Sequence, residues 1–402
     1  MRKSLLAVAA LMGASALPAK AAMFKVDEQT FANFGYMSQI WAQNIGARNT
    51  NEKSRTNFSV ANAKIYFSGQ VNKMVKFHAE FDASVNANNL PGNTRLGDAH
   101  ITFAFAPELN IIAGYQRLPF SRQTLSSGYA AIIPTGYGYG RVAGGAPVFA
   151  SASIGAASVC AVRATTGTCL STTNVGGAGS RDAGLSIMSN IMDGMIVFRG
   201  GIFDGRYDSR AIGQTDENLA LAFRIQFTPT MLGYKGETGY SISDTYLGRQ
   251  NVLTLGVGYN TQKDKRASTG NTWKMFSVDL NWEQKFGDMI PNIQIGYNDL
   301  KDYNAAKDDA RAFWAQGQLL YDQVVGLGKP ALALGWFYSE QKPAGGGAKP
   351  KVNRYAVYFN YYIKGHAAKI QAGIDSFQRN SADKGANGKN YTDFTLALQT
   401  QF

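Results

Sequence analysis

Apolar and polar residues alternate along almost the whole chain. Between Val75 and Ala83, Val75, Phe77, Ala79, Phe81 and Ala83 share one face of an extended segment, and Lys76, His78, Glu80 and Asp82 share the other. Leu219, Leu221, Phe223, Ile225 and Phe227 alternate with Ala220, Ala222, Arg224 and Gln226. Tyr355, Val357, Phe359, Tyr361 and Ile363 alternate with Arg354, Ala356, Tyr358 and Asn360. One such segment also fits a half-buried strand of a soluble protein; its repetition from end to end fits a large barrel. The pattern predicts strands over 31–43, 57–70, 74–86, 97–106, 109–117, 181–190, 195–204, 217–228, 250–260, 272–284, 291–299, 311–322, 330–339, 352–363, 368–378 and 391–402. Short links at 71–73, 107–108, 191–194, 285–290, 323–329 and 364–367 alternate with longer polar ones. That is the rhythm of a transmembrane antiparallel β-barrel, all-β, of about 16 strands, with short turns at the periplasmic end. Residues 229–249 break the rhythm. They are read as a long periplasmic connection, because a strand there would give an odd count; an 18-stranded barrel using part of 146–162 is the alternative.

Both ends of the chain point to export. Arg2 and Lys3 precede an apolar stretch, Leu5 to Leu17, too short to span a bilayer as a helix. Ala19-Lys20-Ala21 then offers small residues for signal-peptide cleavage after Ala21, leaving 22–402 as the barrel. Loss of Arg2, Lys3 and Lys20 lowers the formal net charge from +12 to +9. The last strand, Phe394 to Phe402, is amphipathic and ends on an aromatic residue. It resembles the terminal strand of bacterial outer-membrane barrels, which implies delivery by the barrel-assembly machinery to the bacterial outer membrane and its lipids. Composition agrees. Aromatics make up 12% of the chain, 44 residues are glycine, and no linker or helical region divides it into soluble domains.

The longest connection, 118–180, is rich in Gly, Ala, Ser and Thr. A connection of this length is usually functional. It carries Arg122, Arg141 and Arg163, is flanked by Arg117 and Arg181, and contains neither lysine nor acid. Folded into the lumen, it would form a constriction loop and concentrate anions; as an external loop it would merely carry scattered arginines. Cys160 and Cys169, the only cysteines, both lie in it. Export permits a disulfide between them, and two free thiols are the alternative.

Three segments carry a family resemblance. Leu96-Gly97-Asp98-Ala99-His100-Ile101-Thr102, Gly114-Tyr115-Gln116-Arg117-Leu118-Pro119-Phe120-Ser121, and Ala222-Phe223-Arg224 followed by Pro229 resemble the phosphate- and polyphosphate-selective porins. The resemblance implies a trimeric barrel of 16 strands, basic residues along the pore, and a long loop that narrows it. The anion-specific members of that family are densely lined with lysine, and no such cluster appears here.

These readings converge on a passive diffusion channel for small hydrophilic solutes and ions, weakly anion-selective, with phosphate among the candidates. The expected pore-lining and anion-binding residues are Lys64, Lys76, Arg117, Arg122, Arg224 and Arg354. Glu80, Asp82, Asp279 and Glu283 are expected to oppose them, giving a positive wall against a negative one. Catalytic chemistry finds no support. There is no phosphate-binding glycine loop, no Gly-x-Ser-x-Gly and no Cys/His metal spacing, so neither cofactor nor metal is expected. His78 and His100 read as solvated lumen histidines. An adhesive or structural barrel and an outer-membrane hydrolase are the alternatives. No nucleic-acid partner is indicated, and a homotrimer is expected.

Overall fold

The structure is a computed structural model of the chain that describes residues 22–83, 95–134, 181–204, 218–263, 272–302, 307–384 and 388–402. A short strand β1 (Ala22–Lys25) precedes the barrel strands β2 (Phe31–Ile45), β3 (Arg55–Gln70), β4 (Val75–Asp82), β5 (Arg95–Ala106), β6 (Leu109–Arg117), β7 (Arg181–Ile191), β8 (Ile196–Phe203) and β9 (Ala220–Phe227). The second half comprises β10 (Val252–Lys263), β11 (Thr272–Glu283), β12 (Met289–Lys301), β13 (Asp309–Tyr321), β14 (Lys329–Lys342), β15 (Lys351–Tyr362), β16 (Ala368–Arg379) and β17 (Tyr391–Gln401). Each strand pairs antiparallel with the next. β17 closes on β2, with Leu398 opposite Ile40 and Gln399 opposite Gln39. The result is a closed barrel of 16 strands, β2 to β17. β1 lies beside the start of β2, with Ala22 opposite Phe34.

Alternation explains the closure. In β9, Leu221, Phe223, Ile225 and Phe227 are each at least 40% exposed, whereas Ala220, Ala222, Arg224 and Gln226 are buried. β15 repeats this, with Tyr355, Val357 and Phe359 exposed and Arg354, Ala356, Tyr358 and Asn360 buried. The exposed apolar residues form a band around the outside, which suits lipid. The buried polar residues face the interior. No helix among the described residues is long and apolar enough to cross a membrane; the strands cross instead. Closure removes the unpaired edges an open sheet would leave.

The strands lie close to their sequence-predicted spans, and 229–249 is a connection rather than a strand. Most boundaries differ by one to three residues, and one by four. The strand expected to reach residue 86 ends at Asp82, and the one expected to end at 260 continues to Lys263. The signal segment, 146–162, Cys160, Cys169, Arg141 and Arg163 lie outside the described residues.

Candidate functional site

β6 leads straight into the interior. Leu118 and Phe120 bury in a cluster with Phe203, Ala220, Ala222 and Met275. Ser121 then caps a single helical turn, Arg122–Leu125, by accepting a hydrogen bond from the Thr124 amide. The close approach to β10 needs Gly258: a Cβ there would lie 1.7 Å from the carbonyl oxygen of Phe120. Beyond the turn, inward-facing side chains receive the backbone. Gln399 donates to the Tyr129 carbonyl (3.0 Å) and Lys369 to the Ala131 carbonyl (2.8 Å). Gln371 also reaches Ala131, and Asn360 donates to the Ile132 carbonyl (2.8 Å). Ile132 and Ile133 pack with Trp314, Phe337, Tyr358 and Phe377. Residues 118–134 therefore touch inward-facing residues of β9–β11 at one end and of β15–β17 at the other.

The connection 229–249 meets this segment. Ser126 and Ile242 form an isolated parallel bridge, with the Ile242 amide donating to Leu125 (3.1 Å) and the Ser127 amide to Ile242 (3.1 Å). Arg122 makes a forked pair with Glu237, at 2.6 and 2.8 Å. Tyr246 donates its hydroxyl to the same carboxylate at 2.7 Å. Burial alone would push the Glu237 carboxyl up. The Arg122 charge and the hydrogen bonds from Arg122 and Tyr246 reverse this and hold it below the usual carboxylate range. Ser126 donates to Asp244, and Arg199 holds the carbonyls of Gly239 (2.6 Å) and Tyr240 (2.8 Å). The sequence reading missed Glu237, Tyr240 and Asp244. Their signal was the length of a connection at the end where the other turns are short.

The expected lining residues fall into separate places. Arg117, Arg122 and Arg224 converge at the start of the inserted segment. Arg224 is fully buried and forks onto Asp279 on β11, both contacts at 2.6 Å. This pair spans β10 because Gly256 stands between: a Cβ there would lie 2.0 Å from Arg224 Nη2. The Arg122 amide also donates to Asp279, at 3.0 Å. Arg117 lies 3.7 Å from Asp98 and donates to the carbonyls of Leu125 and Ser126. Lys64 pairs with Glu80 at 2.6 Å on the neighbouring wall. Arg354 lies far round the barrel, forked onto Asp375 and stacked on Phe337 and Phe377. Lys76 is exposed near the short-turn end and belongs to none of these groups.

Among the described residues, the expected cations and acids do not form a positive wall facing a negative one. Lys64 and Glu80, and Arg224 and Asp279, pair side by side, because strand register brings opposite charges within a strand or two of each other. Glu283 does not oppose a cation either. It accepts from the amides of Tyr246 (2.9 Å) and Gly248 (2.9 Å) and anchors the connection.

A sequence model of phosphate-selective porins O and P matches residues 34–157, just under a third of the chain. No curated protein matches the sequence. Among solved structures, the fold resembles the anion-selective porin of Comamonas acidovorans, at TM-score 0.57 and 10% identity, covering 93% of this chain and 100% of that one. The fold is that of an outer-membrane porin. The outer-membrane channel DcaP of Acinetobacter baumannii resembles it in fold at TM-score 0.55 and 14% identity, over 94% of this chain and 99% of that one. The trimer form of OmpT of Vibrio cholerae matches at 0.51 and 11% identity, over 93% and 100%. At such identities these structures speak for the fold of the chain, and the site rests on its own residues.

Proposed function

We propose that this protein is an outer-membrane porin, a passive channel for small hydrophilic solutes and ions, weakly anion-selective, narrowed by 118–180 and assembled as a homotrimer. The observation that carries the reading is the run of hydrogen bonds from β15–β17 to the carbonyls of Tyr129, Ala131 and Ile132. A segment held by both sides of the wall narrows the passage between them. The family match and the fold favour a channel over a hydrolase.

Weak selectivity follows from the charges. The chain expected after cleavage at Ala21 carries +9, and 118–180 holds arginine without acid. Yet Arg122, Arg224 and Arg354 each pair with a buried carboxylate, which cancels most of their field in the pore. Such pairing supports a general anion preference, with phosphate one anion among several, rather than a dense cationic ladder. One solved neighbour is named an anion-selective porin and another a trimer form, which supports both parts of the reading. The apolar band meets outer-membrane lipid, the short turns face the periplasm, and the barrel-assembly machinery inserts the chain. A Cys160–Cys169 disulfide would stiffen the glycine-rich part of the loop.

The test is the reversal potential of the purified porin across a KCl gradient. Chloride should be preferred over potassium. The preference should shrink in molar salt, where the Debye length falls to about 3 Å. A channel that prefers potassium would remove the selectivity claim and leave the fold untouched.

A further inference from the structure

We propose that a cavity at the short-turn end of the barrel is a binding site for a small aromatic carboxylate that also carries a hydroxyl group. The cavity measures about 440 Å3, within the range of sites that hold one small molecule. The connection 229–249, the turns after β13 and β15, the end of β17 and Tyr129 of the inserted segment all contribute to its lining.

Part of the lining is aromatic and apolar. The Tyr129 and Tyr362 rings meet the His366 ring edge-on, at 5.6 and 5.8 Å between centroids. Leu247 packs on the buried cluster that contains Leu320 and Tyr362. Such a wall suits a flat ring.

Two acceptors in the lining are unsatisfied. Nε2 of His366 lies 2.9 Å from the Thr245 carbonyl oxygen, which can only accept, so Nε2 carries the hydrogen. Burial pushes the imidazole pKa down to about 3, so the ring is neutral and Nδ1 is an acceptor. His366 is 6% exposed, and its Nδ1 has no partner among the described residues. Gln401 is in a similar position. The Tyr66 hydroxyl donates to the Phe402 main-chain oxygen (3.1 Å), so the Gln401 amide donates to Tyr66 (2.6 Å), and its Oε1 stays buried without a partner. Buried polar atoms are nearly always paired. A hydroxyl on the ligand supplies a donor to either acceptor.

The charge of the lining is positive. Arg249, Lys329 and Lys364 are its only charged side chains. Lys329 pairs with Asp322, which Lys285 also holds. Arg249 and Lys364 are exposed and form no ion pair among the described residues. The acids behind the wall are engaged within the protein. Glu283 accepts from the Tyr246 and Gly248 amides, and Asp244 from the Ser126 hydroxyl and the Ile132 amide. The Phe402 main-chain oxygen accepts from the Tyr36 amide as well as from Tyr66. Two cations are thus left for a carboxylate. A ring, a carboxylate and a hydroxyl together answer the three features; inorganic phosphate answers only the charge.

The experiment is calorimetric titration of the untagged, detergent-folded protein with sodium para-hydroxybenzoate. One ligand per chain should bind saturably. Benzoate, which lacks the hydroxyl, should bind about fivefold more weakly, the scale of one hydrogen bond. Inorganic phosphate should not saturate over the same concentrations. The Arg249→Ala/Lys364→Ala double variant should bind about tenfold more weakly. His366→Ala should erase the preference for para-hydroxybenzoate over benzoate. Absence of saturable binding, equal affinity for the two benzoates in the unaltered protein, phosphate binding as tight as theirs, or undiminished binding in the double variant would overturn the site. The ligand series is read on the unaltered protein, so it decides the matter even if a variant fails to fold. No current is measured, so the outcome is separate from whether the pore conducts or prefers anions.

Discussion

Exchange of Glu237 for alanine is expected to raise the single-channel conductance while leaving the barrel folded. Glu237 receives both arms of Arg122 and the Tyr246 hydroxyl in a fully buried place. Removing it strands a buried guanidinium, a change that typically costs about 3–5 kcal/mol. That loss falls on the junction between 118–134 and 229–249, because the strand ladder involves neither residue. The segment should therefore leave its seat and widen the passage. Restoring neutrality with Arg122→Ala in the same chain should recover part of the loss, as a double-mutant cycle would read it. Acid should act in the same direction. The Glu237 carboxyl is held low, so its contribution is complete above the ordinary carboxylate range and is lost only as pH falls through the lowered value. Unchanged conductance in Glu237→Ala at neutral pH would show that the junction does not hold the constriction.

Phe223→Arg should produce the second large effect, on the opposite face of the wall. Phe223 is 42% exposed among Leu221, Ile225 and Phe227, and its ring contacts Tyr259. Arginine on the lipid face at the bilayer midplane costs about 2–4 kcal/mol, falling to about 0–1 near the interfaces. Leu232→Arg is the control. Leu232 is 70% exposed in the connection after β9, at the membrane edge. Guanidinium titration of folding into lipid vesicles should separate the two variants clearly. Equal losses would mean that the outward face has been misassigned.

Much of the fold was legible because its signal is local and repeated. Alternation fixes which side chains share a face, and Phe223 and Arg224 needed no structure to be set on opposite sides. What alternation cannot supply is the filling of the interior. Gln226 reads as pore-facing and does face inward, yet it is buried and bonded to Arg224. The Arg224–Asp279 pair depends on the register of three strands and on a glycine between them, neither of which a linear pattern contains. That His78 and His100 stand opposite each other shows only once β4 and β5 are paired. Glu237 was hidden for another reason: a connection has no periodicity, so nothing in its pattern told that it turns inward.

A porin of this kind holds a water-filled passage through its barrel, narrowed but not closed. Planar-bilayer recording of the purified, unaltered porin tests it most directly. Repeated current steps of uniform size are expected, linear in voltage at low potential and proportional to salt concentration at high salt. A correctly folded protein that inserts into the bilayer and conducts no ions would contradict it, and would leave the barrel a structural or adhesive role.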